Sequence, residues 1–236
     1  ISNIETMYLR FNIDNANKAF IADCAAKYIF GGGAFTWMDA TNVRFERCEA
    51  AVAYSRTNGD GFNGHANKTG DAFAKTCVAT LVDCWAHDNN DDGYSDHERA
   101  ETNIYGGLYE YNGKAGVTPS YGSHCVCHDV YSRNNYSGFF YTGNTASDEG
   151  GANGQLLCYN CVADGNKGRG GYETGFRVDG NGNSMKLVNC KSINNKIGYA
   201  CGSASRIELI DCGAYNNDTD KKGDIGSWSY ISTTSM

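Results

Sequence analysis

Two segments of the chain place a histidine shortly after an aspartate–glycine pair, a combination that could carry out acid–base chemistry. The first reads Asp60-Gly-Phe-Asn-Gly-His65, and the second reads Asp92-Gly-Tyr-Ser-Asp-His97-Glu98-Arg99. Neighbouring titratable groups shift one another's pKa, and such shifts are frequent at acid–base sites. The alternative interpretation is an inert surface histidine beside a turn aspartate. We predict that the catalytic residues belong to this group: His97, His65, Asp96, Glu98 and Arg99.

A dense run of acidic and amide side chains precedes the second histidine. Asp91 and Asp92 stand within Asp88-Asn-Asn-Asp-Asp-Gly, and carboxylate oxygens are ligands that Ca²⁺ prefers. Aspartate and asparagine also cap their own backbone in turns, so turn formation is a competing interpretation. A further alternative is a transition metal held by His65, His97 and a carboxylate, since imidazole suits zinc. Calcium at Asp91 and Asp92 is the metal prediction.

A recurring phrase indicates which elements position these segments. It reads Ala79-x-Leu81-x-Asp83-Cys84-x-Ala86-x-x-Asn89, and it returns at 185–195 and 207–217. Less regular copies bring the number of centres to eight, several of them 22 to 24 residues apart. Alternating apolar residues predict strands, and a repeat of this length predicts the stacked coils of a solenoid. The sequence therefore predicts one all-β domain of about eight coils.

Stacking converts equivalent positions into columns, because neighbouring strands lie ~4.8 Å apart. Six cysteines form one inward column, and six asparagines form a ladder at a turn. A count outward from the glycine before each strand places Trp37, His65 and His97 side by side on one exposed face. Arg177 and Asp179 follow further along this face. Five residues are predicted to bind substrate: Trp37, Tyr121, His124, Arg177 and Asp179.

These L-x-N-C-x-A-x-x-N coils resemble the right-handed parallel β-helix superfamily of pectate-lyase-like proteins, over residues 19–217. The resemblance implies a single-stranded parallel β-helix, a fold that hosts lyases, hydrolases, epimerases, phage tailspikes and adhesins. The segment Tyr94-Ser-Asp-His-Glu98 resembles the Y-G-F-D-P-H-E active-site segment of mannuronan C5-epimerases, which implies a catalytic role for His97. The Asp91-Asp92-Gly phrase is similar to a calcium-binding phrase of some pectate lyases, which implies calcium there. The catalytic lysine of those lyases has no assigned counterpart in this sequence.

The lyase and epimerase reactions share a first step. A base removes the proton α to a uronate carboxylate, while a positive group or metal neutralises the developing charge. His97 or His65 could be the base, and Arg99 or Arg177 could hold the carboxylate through two hydrogen bonds. A hydrolase would instead need two carboxylates across the glycosidic bond. The candidates for that pair are Asp60, Asp92, Asp96, Glu98 and Asp179.

Composition narrows the classes of partner and compartment. The net charge of −7 argues against nucleic acid binding, which needs a basic surface. The sequence has no apolar run long enough to span a bilayer and no signal peptide at Ile1, so no membrane insertion is predicted. Eleven cysteines, six of them in one column, favour buried reduced thiols over disulfides. The arbitrary start and end favour a piece of a longer protein.

Three hypotheses about function follow from this sequence. The first is a polysaccharide lyase or epimerase centred on His97. The second is an extracellular or virion-associated tailspike-like protein that binds host glycan, forming a homotrimer or attached to a larger assembly. The third is a structural or adhesive solenoid without catalysis, in which the histidine pair is dispensable. Polysaccharide is the expected partner in the first two.

Overall fold

The computed structural model describes residues 1–55, 58–66, 77–143, 153–168 and 173–223, and the backbone of 228–230. Regular structure in these residues consists of strands, which form three parallel sheets of nine strands each. Successive strands of the chain go to sheets 1, 2 and 3 in turn, so three strands complete one coil. The predicted all-β, right-handed parallel β-helix is confirmed.

Sheet 1 contains the shortest strands, and its outer face lies on the flank of the coils. Its members are β1 (Glu5–Met7), β4 (Ala25–Lys27), β7 (Glu49–Ala51), β10 (Trp85–His87), β13 (Leu108–Glu110), β16 (Tyr131–Arg133), β19 (Val162–Asp164), β22 (Lys191–Ile193) and β25 (Gly213–Tyr215).

Sheet 2 carries the histidine pair. Its members are β2 (Phe11–Asp14), β5 (Phe35–Met38), β8 (Phe62–His65), β11 (Tyr94–His97), β14 (Ala115–Pro119), β17 (Ser137–Tyr141), β20 (Thr174–Val178), β23 (Ile197–Cys201) and β26 (Thr219–Gly223).

Sheet 3 carries the apolar alternation of the recurring phrase. Its members are β3 (Ala19–Ala22), β6 (Val43–Glu46), β9 (Val78–Val82), β12 (Glu101–Tyr105), β15 (His124–His128), β18 (Gln155–Tyr159), β21 (Ser184–Val188), β24 (Arg206–Ile210) and β27 (Trp228–Tyr230).

The described residues form nine coils, one more than the sequence count of about eight. The first coil escaped recognition because Ile4 stands where most of the other coils have cysteine, with Gly107 and Val130 the exceptions among the recognised ones. Ile4 takes the place of Cys24 and Cys48 there, since the amide of Ala25 donates to the Ile4 carbonyl as that of Glu49 donates to Cys24. Unlike these buried cysteines, Ile4 is 42% exposed.

The interior is filled by the inward columns, and its polar turns are satisfied by the asparagine ladder. All eleven cysteines are buried as free thiols. The amide nitrogen of Asn112 donates to Oδ1 of Asn135 at 2.8 Å, and that of Asn135 donates to Asn166 at 3.0 Å. The same bond links Asn166 to Asn195 at 2.8 Å. In each of these coils the asparagine thus satisfies a buried backbone donor of the neighbouring coil, as close packing without water requires.

The register of sheet 2 departs from the sequence count at one coil. Phe35 pairs with Phe62, and their rings stack with centroids 4.9 Å apart, so Phe35 is the first inward residue of β5. Trp37 consequently points inward, pairs with Gly64 and is fully buried. The prediction of an exposed Trp37 was wrong, because the glycine count aligned Ala34 with Phe62. Met38 takes the position beside His65 on the outer face.

Gly64 explains how a tryptophan fits at this level of the interior. A Cβ atom on Gly64 would lie 2.6 Å from Cε2 of the Trp37 indole, which is closer than such atoms approach. From His65 onward the sequence count agrees with the structure, since His65 pairs with His97. None of the described residues forms a helix that could cross a membrane.

Candidate active site

A pocket of about 490 Å³ opens on the outer face of sheet 2. Its lining runs from Asp60, just before β8, to Asp179, just after β20. These residues belong to five consecutive coils, so the pocket extends ~19 Å along the axis at ~4.8 Å per coil. His97, Lys114 and Tyr121 line its middle. The pocket is large enough for a small-molecule or oligomeric ligand.

His97 is held at the end of β11 by two hydroxyl groups and two rings. Its Nε2 lies 2.9 Å from Ser95 Oγ, and its Nδ1 lies 2.9 Å from Ser120 Oγ. The ring stacks on His65 with centroids 4.9 Å apart, and on Tyr121 at 5.7 Å. Burial, followed by the charge of His65, lowers the pKa of His97 to about 4. The imidazole is therefore neutral at neutral pH.

His65, the ring that stacks on His97 from the preceding coil, is paired with Glu98. Nδ1 of His65 lies 3.2 Å from Oε2 of Glu98. Glu98 and Arg99 both adopt left-handed backbone angles, with φ of 54° and 63°, and form the turn that follows β11. Arg99 is exposed on this turn and is absent from the pocket lining. The structure thus brings together the histidine pair predicted from the columns, and Glu98 bonds to His65.

A cluster of three buried aspartates forms one end of the pocket. A carboxylate oxygen from each of Asp60, Asp91 and Asp92 lies within 4.8 Å of the others. Oδ1 of Asp92 accepts the Ala115 amide at 2.8 Å, and Oδ1 of Asp60 accepts the Asp92 amide at 3.0 Å. The Asp-Gly turn therefore uses the same carboxylate bond on two successive coils, which aims both carboxylates into one place.

The charge of this cluster is only partly balanced. Nζ of Lys114 lies 2.5 Å from Oδ1 of Asp91, and this is the one salt bridge to the cluster among the described residues. Burial, and then the charge of Asp91, raises the pKa of Asp92 to about 7. Burial and the charges of Asp92 and Asp91 also raise the pKa of Asp60 well above its ordinary value. Three carboxyl groups share one ammonium, so the cluster either retains protons or attracts a cation.

Lys114 is kept charged by its surroundings. Burial opposes its charge, but the ion pair with Asp91 and the neighbouring charges of Asp92 and Asp60 hold the pKa of Lys114 above its ordinary value. Lys114 Nζ is therefore an ammonium group beside the cluster, facing the same pocket as His97. The pocket combines a neutral nitrogen base with a fixed positive charge.

Asp96 occupies a different place from the one its sequence neighbours suggest. It is fully buried inside the coils, where the Tyr94 hydroxyl donates to its Oδ2 at 2.6 Å. Burial raises the pKa of Asp96 to about 8, so the carboxyl group is protonated at neutral pH. Alternation along β11 turns Asp96 inward and His97 outward. The prediction of Asp96 as a catalytic residue in contact with substrate is therefore corrected.

The predicted substrate-binding residues are divided between several places. Tyr121 and Asp179 line the pocket, and Arg177 bonds to Asp179 through Nε at 2.6 Å, over the ring of Phe140. His124 is exposed at the start of β15 in sheet 3 and is not part of the pocket. Trp37 lies in the core, as described above. The structure thus groups Tyr121, Asp179 and Arg177 with the histidine pair.

The sequence count could have found Lys114, which it missed. The residue two positions before each strand-opening glycine forms its own column, and Asp91 and Lys114 are successive members of it. Lys196 and Glu173 are neighbours further along the same column, and they too form an ion pair, at 3.1 Å. Ser95 and Ser120 could have been placed by the histidine columns. Phe140 stands in the same outward column as Ser95, Thr118 and Arg177, so the count places it on this face without indicating a role.

The aspartate cluster suits a hard divalent cation. It offers three carboxylate oxygens on neighbouring turns, and oxygen ligands with net negative charge favour Ca²⁺ over softer metals. The described histidines and cysteines contribute no ligand to this cluster. Asp60 joins the predicted pair Asp91 and Asp92 here.

Two solved structures are similar to this chain over most of its length. The crystal structure of pectate lyase Pel9A is similar with a TM-score of 0.62 at 11% identity, covering 98% of this chain and 69% of that one. The A-module of the Azotobacter vinelandii mannuronan C-5 epimerase AlgE6 has a TM-score of 0.48 at 13% identity, covering 93% and 58%. No protein-family model and no curated protein matches the chain. The fold is that of a pectate-lyase-like parallel β-helix.

Proposed function

We propose that this chain is a carbohydrate-active β-helix that removes the α proton of a uronate unit in a polysaccharide, as a lyase or epimerase does. The observation that carries the proposal is the pocket itself. It places a histidine that burial keeps neutral, an ammonium group and three clustered carboxylates on one exposed sheet face. The similarity in fold to a pectate lyase supports this substrate class.

His97 is the proposed proton acceptor. A neutral imidazole can take a proton, whereas Lys114 is charged and cannot. A proton arriving at His97 replaces the hydrogen bond from one of the two serine hydroxyls, Ser95 or Ser120, and the other keeps the ring oriented. The π stack with His65 and Tyr121 fixes the plane of the ring. These contacts hold His97 in place before substrate arrives, which is the condition for efficient proton transfer.

Lys114 is the proposed positive group. Its ammonium lies in the pocket beside the aspartate cluster, where it can pair with the uronate carboxylate as negative charge spreads onto it. Asp60, Asp91 and Asp92 are the residues that would hold calcium. When bound, calcium would neutralise the uronate carboxylate and so acidify the adjacent C–H bond. Tyr121 and Phe140 offer aromatic surface for sugar rings along the rest of the pocket.

The test is activity on a panel of acidic and neutral polysaccharides, following unsaturated uronate absorbance, reducing ends and, by NMR, epimerisation. We expect activity on an acidic polymer, reduced about 10²–10³-fold by Lys114→Met, since fixed charges near a developing anion contribute at that scale. Lys196→Met is the matched control, because Lys196 makes the same kind of ion pair outside the pocket. Its activity should equal that of the wild type.

Three results would count against the proposal. Reducing ends without unsaturation would indicate hydrolysis by carboxylates. Binding of a polysaccharide without any chemical change would indicate a lectin-like or tailspike-like protein. The absence of both binding and chemical change with every polysaccharide of the panel would favour a structural solenoid.

Calcium should stabilise the fold through the aspartate cluster. In chelator the three carboxylates repel one another, and Ca²⁺ at about 100 times its Kd adds roughly 2.7 kcal/mol to the free energy of unfolding. For a chain of this size we expect a rise in Tm of roughly 5–11 °C at pH 8, measured by calorimetry. Asp92→Asn should lose most of this rise and be at least as stable as wild type in chelator, because one buried charge is gone.

Asp129→Asn is the matched control for this experiment. Asp129 is exposed, takes φ of 57° and accepts a hydrogen bond from Asn160 at 3.1 Å, all of which asparagine can reproduce. Its Tm should rise with Ca²⁺ as in the wild type. If Ca²⁺ raised the Tm of Asp92→Asn as much as that of the wild type, the cation would bind somewhere other than the cluster.

A further inference from the structure

A second hollow of about 460 Å³ lies on the flank of the coils, next to the active-site pocket. It is formed by the turns that leave sheet 1 after β13, β16 and β19. Tyr111, Asn134, Tyr136 and Lys167 supply its functional side chains. The hollow and the pocket share coils and are separated around the circumference of the solenoid, not along its axis.

Tyr136 forms the ridge between the two hollows. It lines both of them, and its amide donates to the Lys114 carbonyl at 2.7 Å. A Cβ atom on Gly168 would lie 2.2 Å from Cγ of Tyr136, so glycine is required there for the ring to rest against the backbone. The ring of Tyr136 therefore packs directly against the backbone at Gly168. The turn at 111–114 likewise has Tyr111 in the second hollow and Lys114 in the pocket.

Tyr111 occupies its turn at a cost in backbone energy. Its φ is 54°, in the left-handed region, and 54% of the side chain is exposed. Other coils have Asp88, Asn134 and Gly165 at this position, residue types that adopt this conformation more readily. A bulky residue there is strained. Val52 has the same conformation at the equivalent position of its coil, with φ of 56°, so what distinguishes Tyr111 is its exposed ring at the hollow.

Two other tyrosines at the same turn position have a structural explanation that Tyr111 lacks. Tyr8 and Tyr28 lie in the first coils, where their rings contact each other at 6.3 Å and Tyr8 stacks on Phe30 at 6.1 Å. The coils on either side of Tyr111 carry Asp88 and Asn134 at this position, neither of which has an aromatic ring. The ring of Tyr111 thus faces the hollow without an aromatic neighbour in its column.

We propose that this hollow is a second saccharide subsite, which binds an acidic sugar unit of the same polysaccharide whose reacting uronate lies in the pocket. The proposal rests on the proposed function. Tyr111 offers an aromatic surface for the sugar ring, Asn134 offers amide hydrogen bonds, and the Lys167 ammonium pairs with the sugar carboxylate. Tyr136 is the shared wall over which the chain, or a branch of it, passes. The substrate is consequently longer than the pocket.

The test measures the affinity of oligosaccharides of graded length, prepared from a polysaccharide that the wild type modifies. Affinity is determined by calorimetry for the wild type, Tyr111→Asn and Lys167→Ala. We expect the shortest oligosaccharides to bind all three alike. Longer ones should bind each variant about tenfold more weakly than the wild type. Asparagine suits the turn, so the Tm of Tyr111→Asn should equal or exceed that of the wild type, which separates lost binding from lost structure.

Matched controls come from elsewhere on the surface. Tyr105→Ala removes a 43% exposed tyrosine from sheet 3, and Lys18→Ala removes an exposed lysine from the first coil. Both should bind every length like the wild type. If Tyr111→Asn bound oligosaccharides of every length as tightly as the wild type does, the second subsite would be overturned and the proposed function would stand. Absence of any binding or activity in the wild type would overturn both.

Discussion

Replacing His97 with glutamine will lower kcat/KM on the acidic polysaccharide about 10²–10⁴-fold, the range in which a positioned general base contributes. Glutamine preserves hydrogen bonding to the serine hydroxyls but cannot take a proton. His65→Gln is the informative partner variant, since His65 stacks on His97 at 4.9 Å but is absent from the pocket lining. We expect His65→Gln to retain activity within a few-fold of the wild type.

The pH dependence of the wild type provides a second measurement of the same role. Because the pKa of His97 is lowered to about 4, the base is unprotonated above that pH. Its contribution to kcat/KM should therefore persist down to about pH 5 and be lost as the pH falls through 4. Between about pH 4 and 6.5 His97 binds fewer protons in the folded state than in the unfolded chain, so its own contribution to stability falls as the pH falls. Asp92 and Asp96, whose pKa values are raised to about 7 and about 8, act in the opposite direction. Circular dichroism at each pH distinguishes protonation of the base from loss of folded structure.

A reversed order of the histidine variants would contradict this assignment. If His65→Gln were as damaging as His97→Gln, the stacked pair would act as one unit. If neither variant reduced kcat/KM, the base would have to be another group in the pocket.

Replacing Trp37 with alanine will destabilise the fold by about 3–5 kcal/mol, as removal of a large buried aromatic side chain does. Trp37 is fully buried and packs against Phe45 at 5.3 Å and Tyr94 at 6.4 Å, above the space left by Gly64. The coils above and below are held by ladder hydrogen bonds, so we expect the cavity left by Trp37 to collapse only in part. Urea unfolding, with the slope compared between variants, measures the loss.

Trp85→Ala is the control for that experiment. Trp85 lies on the outer face of sheet 1, is 40% exposed, and donates a hydrogen bond to Glu110 at 3.1 Å. Its removal should cost no more than about 1.5 kcal/mol, the value of one hydrogen bond and partial burial. Equal losses from both tryptophans would contradict the inward placement of Trp37.

The fold was accessible from the sequence because each coil repeats the same physical solution. The cysteine column, the asparagine ladder and the pairing of His65 with His97 each follow from counting equivalent positions. The count failed at Trp37 because Gly33-Ala34-Phe35 offers two apolar residues after the glycine. Only the stacking of Phe35 on Phe62 decides between them. A shift of one residue reverses the face of every side chain on a strand.

The site was less accessible than the fold, since its members meet only through stacking. The partnership of Asp60 with Asp92 follows from their matching Asp-Gly turns, but the approach of Lys114 to Asp91 depends on side-chain conformation. The inward turn of Asp96 follows from alternation, although its adjacency to His97 in sequence suggested otherwise. The homotrimer, attachment to a larger assembly and location outside the cell or on a virion stay predictions.

The pocket spans five coils, so its length can take only certain values. A solenoid grows or shrinks by whole coils, so such a groove can change only in steps of ~4.8 Å. Duplication of a coil beyond Asp179 would add surface for substrate while leaving His97 and the aspartate cluster in register. An extra coil between His97 and Lys114 would separate the base from the positive charge. Coils added beyond Asp179 can therefore lengthen the substrate-binding surface without changing the chemistry. Coils added in the middle of the pocket would change the chemistry as well.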